Sequence, residues 1–214
     1  MRIPGIGILC DAIMQSSLSK PTFILTLPYF LLYYLPFAML FANIMVSVNR
    51  LCSVIFYVHF AKTWAFLTPI CVVLVLILPL PLCGHLLISP AFYTDVVNGL
   101  GMNYEKVIVG YPRNSLIALS TYLSSAGIVT ITTLITAACM ATMNKRHKKS
   151  EVSLLLVGAL QSFGTLLAAA HALYMYFEVS EFLYQKRFIF VDYQCFCSSW
   201  TLLLLSANVR KEVR

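Results

Sequence analysis

The chain alternates long apolar intervals with short polar clusters, and the repeat of that alternation is the length of a membrane helix. No Lys, Arg, Asp or Glu falls between Lys20 and Arg50, and none falls between Lys62 and Asp95. The intervals are unbroken rather than alternating in polarity, which fits helices and not barrel strands. A hydrocarbon core of about 30 Å takes about 20 apolar residues in a helix to cross. In lipid the backbone must satisfy its own hydrogen bonds, which a helix does within one segment. Five spans are predicted on this basis, at 22–48, 64–87, 115–143, 152–176 and 188–207. The first carries Pro28 and Pro36, and the second carries Pro69, Pro79 and Pro81, so an irregular end is expected there. The fifth is interrupted by Asp192, Gln194, Ser198 and Ser199 and is strongly apolar only over 201–205. A segment that polar needs protein neighbours.

Composition agrees. The 214 residues are 60% hydrophobic and 11% charged, with mean hydropathy +0.84, where soluble domains carry about 25% charged residues. The expected fold class is therefore an all-α integral membrane protein, residues 1–214 forming a single membrane domain. The net charge of +7 does not mark a nucleic-acid binder, because no basic residue interleaves with aromatics on a polar face. It reports topology instead. Arg50, Lys62, Lys145, Arg146, Lys148, Lys149, Arg210, Lys211 and Arg214 fall on one side of the spans with only Glu151 and Glu212, a net of +7. The other side holds six basic residues against five acidic ones, a net of +1. The positive-inside rule then puts the first side in the cytoplasm, the N-terminus outside and the C-terminus inside. The loop over 88–114 is expected to be external.

Few residues suggest chemistry. Arg50 reads either as an anchor flanking the first span or as an arginine that closes the inner face of a bundle, and composition does not separate the two. Asp192 is the one acidic residue inside a predicted span, where an ionisable group needs the bundle interior or a wet cavity; a later start for the fifth span would make it interfacial. His171 and Gln161 join it as candidates for an intramembrane polar network. Gly158, Gly164 and Ala168 read first as small residues that let helices approach. Cys52, Cys71, Cys139, Cys195 and Cys197 sit in apolar segments as small hydrophobes, which leaves Cys10 and Cys83 as the pair able to meet outside the membrane in a candidate disulfide. Cys195 and Cys197 lack histidines at ligand spacing, so no metal or cofactor is expected. No hydrolase, P-loop or dinucleotide motif is present, so the chain is not expected to be an enzyme. Residues 3–10 are short, broken by Pro4, Gly5 and Gly7 and closed by Asp11, so no cleavable leader is expected.

Four features together resemble the nematode serpentine chemoreceptors of class gamma, with class v as a near relative. They are the run Val46-Ser47-Val48-Asn49-Arg50-Leu51, similar to the end of the third helix in these receptors; the aromatic loop into Lys62-Thr63-Trp64, where a fourth helix begins; the basic cluster Lys145, Arg146, Lys148 and Lys149 between the fifth and sixth helices; and Asp192 followed by Trp200, a leucine run and Ser206-Ala207-Asn208-Val209-Arg210, similar to the seventh. The resemblance implies that the five spans are helices three to seven of a seven-helix bundle, with the first two absent from a truncated product. It further implies a G-protein-coupled chemosensory receptor for small environmental molecules, in the plasma membrane. Asn49, Arg50, Lys145, Arg146, Lys148 and Lys149 would then face a heterotrimeric G protein. The competing classes are a non-signalling membrane protein or receptor partner, and a fragment of a transporter.

Overall fold

The uncharged intervals fold as long helices. The structure, a computed structural model, describes residues 3–4, 20–56, 60–96, 99–108, 112–142, 145–177 and Tyr193. In chain order these form β1 (Ile3–Pro4), α1 (Thr26–Ile55), α2 (Phe60–Ile77), α3 (Pro79–Cys83), β2 (Ala91–Val96), β3 (Gly99–Tyr104), α4 (Asn114–Thr142) and α5 (Lys145–Phe177). Four helical stretches among the described residues are long and apolar enough to cross a bilayer: Phe23–Ile55, Thr63–Ile88, Asn114–Thr142 and Leu155–Tyr174. The span expected at 188–207 lies outside the described residues, except for Tyr193.

Two helices extend furthest beyond expectation, both through basic residues. The first helix, expected to end at residue 48, continues to Ile55. Asn49 and Arg50 are therefore interior helical residues, because 51–55 contains neither Gly nor Pro to stop the helix. The helix expected from residue 152 begins at Lys145. Lys and Arg are good helix formers, so the basic cluster prolongs α5 rather than interrupting the chain as a loop.

The chain divides into two compact units, Met1–Ala38 with Leu76–Pro112, and Met39–Val75 with Arg113–Arg214. The first contains the element that the expectation of an external loop missed. β2 and β3 form an antiparallel hairpin with Ala91 opposite Tyr104 and Val96 opposite Gly99. β1 pairs on the other edge of β3, giving the order β1-β3-β2. The sequence signal was present in part, since Asn98-Gly99 after the run Ala91–Val96 is a hairpin cue, although the register takes Gly99 into β3 opposite Val96. Thr22 fastens the start of α1 to this sheet, exchanging backbone hydrogen bonds of 2.9 and 3.1 Å with Ala91. The Thr26 hydroxyl donates to the Ser89 carbonyl at 3.2 Å. Rings fill the space between: Tyr29 packs on Tyr33 and on Tyr104 with centroids 5.3 and 5.6 Å apart, and His85 meets Tyr104 edge-on at 6.2 Å.

Helix α2 gives way to α3 at Pro79 and Pro81, which cannot donate backbone hydrogen bonds. The chain then tightens into a 3-10 turn over Gly84–Ile88, which is the irregular end expected there. The Leu76 carbonyl, just before the break, accepts from the Tyr34 hydroxyl at 2.9 Å. Cys83 is a buried free thiol that donates to the Pro79 carbonyl at 2.9 Å. Its proposed disulfide partner, Cys10, lies outside the described residues.

In the second unit α4 and α5 are the most extensively paired helices. Their polarity is inverted relative to a soluble protein. Leu134 is 64% exposed and Phe163 55%, while Thr165 is 0% and Ser125 1% exposed. Apolar side chains on the outside with hydroxyls and amides inside is the arrangement that a hydrocarbon solvent selects.

Candidate functional site

The second unit gathers its polar residues on facing stripes of α1, α4 and α5. On α1 the stripe is Asn43, Ser47 and Arg50, at helical spacings of four and three, so all three share one face. Asn43 and Ser47 are buried, and Arg50 is half-buried. On α4 the stripe is Ser125, Thr132 and Thr136, and on α5 it is Gln161, Ser162 and Thr165; all six are buried.

Hydroxyls stitch these helices together with a definite direction. Thr132 donates to the Ile128 and Val129 carbonyls at 2.8 and 3.0 Å. Its proton is thereby committed, so Ser47, 2.6 Å away, is the donor in the Ser47–Thr132 bond. Thr130 and Ser162 meet at 2.9 Å and tie α4 to α5. Thr133 and Thr136 return their protons to the backbone one turn back, each at 2.7 Å. Their oxygens therefore present lone pairs to what lies beside them.

What lies beside them is Arg50. Its guanidinium projects into a small recess whose polar walls are Ser47, Thr133 and Thr136 and whose apolar walls are Val54, Met140 and Leu155. Gly158 forms its floor. A Cβ at that position would lie 3.0 Å from Arg50 Nη1, so the guanidinium rests on bare α5 backbone. Nη1 is enclosed with no hydrogen-bond partner among the described residues. A donor left open in this way costs about 1–3 kcal/mol or more when charged. Among the described residues no ion pair holds this arginine; it is held by fit, beside hydroxyl oxygens that can only accept.

The other expected residues divide. Asn49 stands next to Arg50, its Oδ1 enclosed and without a partner among the described residues. Lys145, Arg146, Lys148 and Lys149 occupy the first turns of α5, with side chains outside the described set. Gln161 is 5% exposed, and both atoms of its amide lack partners among the described residues. His171 is half-buried on the same helix, ten residues further on and about 15 Å along the axis. The two are not brought together. Asp192 lies outside the described residues.

Sequence reasoning missed Tyr193. Its ring carbons lie 2.9 and 3.2 Å from where a Cβ on Gly164 would be. The two glycines of α5, read from sequence as general packing residues, are thus separate notches. One receives Arg50 and the other Tyr193. Among the described residues no group of three or more His, Cys, Asp or Glu is placed to hold a metal.

A lipid-compatible exterior around a hydroxyl- and amide-lined interior defines a multi-pass helical membrane protein. Comparison with known proteins makes the assignment specific. The Srg family chemoreceptor model matches residues 5–213, and the chain belongs to that family. Serpentine receptor class gamma-3 of Caenorhabditis elegans is 29% identical over 210 residues, covering 96% of this chain and 63% of the relative. Class gamma-15 of the same organism is 28% identical over 79% of this chain and 54% of its own length. Class gamma-8 is 32% identical over 75% and 50%. The chain thus spans about half to two-thirds of the length of these curated relatives. No solved structure matches.

Proposed function

We propose that the chain acts as a G-protein-coupled chemosensory receptor for small environmental molecules, in the plasma membrane, with the Arg50 end of the bundle facing the cytoplasm. The observation that carries this reading is the chemoreceptor family match over almost the whole chain. The charge asymmetry of the termini and loops supports the orientation, since the net of +7 falls on the side of Arg50 and the α5 basic cluster. The Arg50 recess supports a coupling role. An arginine held by fit, with no ion pair among the described residues, is released by a modest shift of α5. A ligand acts on such a bundle only through its differential affinity for two arrangements. Asn49, Arg50, Lys145, Arg146, Lys148 and Lys149 would form the face that a G protein meets.

The test is a G-protein reporter assay on the whole receptor carrying this sequence, in cells exposed to a panel of volatiles and pheromone-like lipids. Arg50→Ala is expected to reduce the ligand response at least about tenfold at equal surface expression, the effect of losing roughly 1.4 kcal/mol of coupling. An undiminished response would remove Arg50 from the mechanism. Surface expression with no response to any G-protein type would instead favour a non-signalling partner of other receptors. Epitope tags in the β2–β3 hairpin and at the start of α5 check the orientation: only the hairpin tag should be stained on intact cells.

A further inference from the structure

Several polar side chains of the second unit are enclosed without a hydrogen-bond partner among the described residues, and two of them are complementary. Arg50 Nη1 is a donor with no acceptor, and Gln161 Oε1 is an acceptor with no donor. Their positions on α5 are adjacent. Arg50 rests at Gly158, and Gln161 follows three residues later, about 4.5 Å along the axis and about 60° around it. Gly164, which carries the Tyr193 ring, lies a further 60° around in the same direction. Gln161 therefore occupies the sector of α5 between the two notches, next to the arginine it does not touch.

We propose that Gln161 is a second seat for Arg50. In the arrangement seen, Nη1 of the guanidinium sits close against Gly158 and gains packing, while Nη1 and the Gln161 amide have no hydrogen-bond partner among the described residues. In the other, α5 has moved against α1 by the 4.5 Å or 60° that separates the two residues, and Arg50 Nη1 donates to Gln161 Oε1. One seat offers contact and the other a hydrogen bond, so the two arrangements are close in free energy and a bias on α5 selects between them. Thr133 and Thr136 offer the guanidinium uncharged acceptors along the way. Their protons are committed to the backbone, so their oxygens only accept.

The experiment reads stability rather than signalling, so its outcome is independent of the receptor reading. Gln161→Glu is introduced into the full chain and into the same chain carrying Arg50→Gln, and both are purified in detergent for thermal unfolding. With Arg50 present the carboxylate gains a charged partner, and Tm is expected to rise by about 4 °C or more. With Arg50→Gln the carboxylate is unpaired, and Tm is expected to fall. Adding Gly158→Ala crowds the first seat and should enlarge the gain seen with Arg50. Equal Tm shifts in the two backgrounds overturn the proposal, as does a Gln161→Glu chain that fails to fold while Arg50 is present. Failure only in the Arg50→Gln background supports it. If Gln161→Glu folds in neither background, the proposal is overturned by the same rule, and Gln161→Met serves as an independent check: equal Tm shifts in the two backgrounds confirm that the side chains do not meet.

Discussion

The two units of the chain treat their buried polar groups in opposite ways. In the first, the hydroxyls are matched by the backbone. Thr22 and Ala91 exchange hydrogen bonds, Thr26 donates to Ser89, Tyr34 donates to Leu76 and Ser89 donates to His85. In the second, hydroxyls are matched within and between helices, yet Asn43, Arg50, Ser125 and Gln161 retain atoms with no partner among the described residues. A satisfied set of bonds has one good arrangement, and any movement breaks something. An incompletely satisfied set has alternatives of similar free energy. Among the described residues, the open atoms are concentrated in the second unit.

The largest expected effect probes the glycine notches. Gly164→Ala brings a methyl group to within 2.9 Å of a rigid tyrosine ring, which must move as a body. Overpacking of this kind costs about 1–3 kcal/mol, or a Tm loss of several degrees in a chain of this size. Gly158→Ala meets only the flexible end of Arg50 and is expected to lower Tm by clearly less. Equal losses would mean that both notches are ordinary packing positions.

Polar-to-apolar substitutions sharpen the comparison further, because their sign should differ between the units. Gln161→Leu removes two buried, unpartnered atoms and is expected to raise stability by about 1–2 kcal/mol. Thr26→Val removes a hydroxyl that bonds the Ser89 carbonyl and is expected to lower it by about 0.5–1.5 kcal/mol. Chemical or thermal unfolding of the two variants decides the matter. A loss in both cases would show that the Gln161 amide is satisfied after all. Tyr34→Phe, which frees the Leu76 carbonyl beside the Pro79 break, should cost roughly 0.6 kcal/mol, the average for side-chain hydrogen bonds in membrane bundles.

Four of the five expected spans were legible because bilayer thickness imposes itself on the sequence directly, as in the uncharged intervals between Lys20 and Arg50 and between Lys62 and Asp95. The boundaries at Arg50 and Lys145 were not, because charge tells where lipid ends and not where a helix ends; α1 and α5 both continue beyond the expected limits. The hairpin was only partly legible, because Asn98-Gly99 marks a turn but the glycines of β3 weaken its strand signal. Arg50 and Gln161 stood out in the sequence, one for its motif and one for its polarity in an apolar segment. Their neighbourhood was invisible, since nothing in a single chain says that Gly158 on α5 lies beneath an arginine 108 positions earlier. Tyr193 was missed for the same reason, being one aromatic among many until its ring is seen against Gly164.

The smallest expected effect tests how firmly the first unit is closed. Tyr104 ends β3 and packs against Tyr29 and His85. Burial, reinforced by repulsion from Tyr33, raises its phenol above the ordinary value of 10.0. Below about pH 10 the phenol is neutral in both folded and unfolded chains, and the contribution is fully present. As pH rises beyond that, the unfolded chain releases its proton first, so the folded state loses stability as pH climbs through the folded value. A spectrophotometric titration of the phenolates, compared between the full chain and Tyr104→Phe, should show one tyrosine that ionises late and is missing from the variant. Thermal unfolding should show the unsubstituted chain losing more stability than Tyr104→Phe above pH 10, and no difference in pH dependence below it. If instead Tyr104 titrates with the exposed tyrosines, the hairpin does not shield it from water, and the first unit is as open to rearrangement as the second.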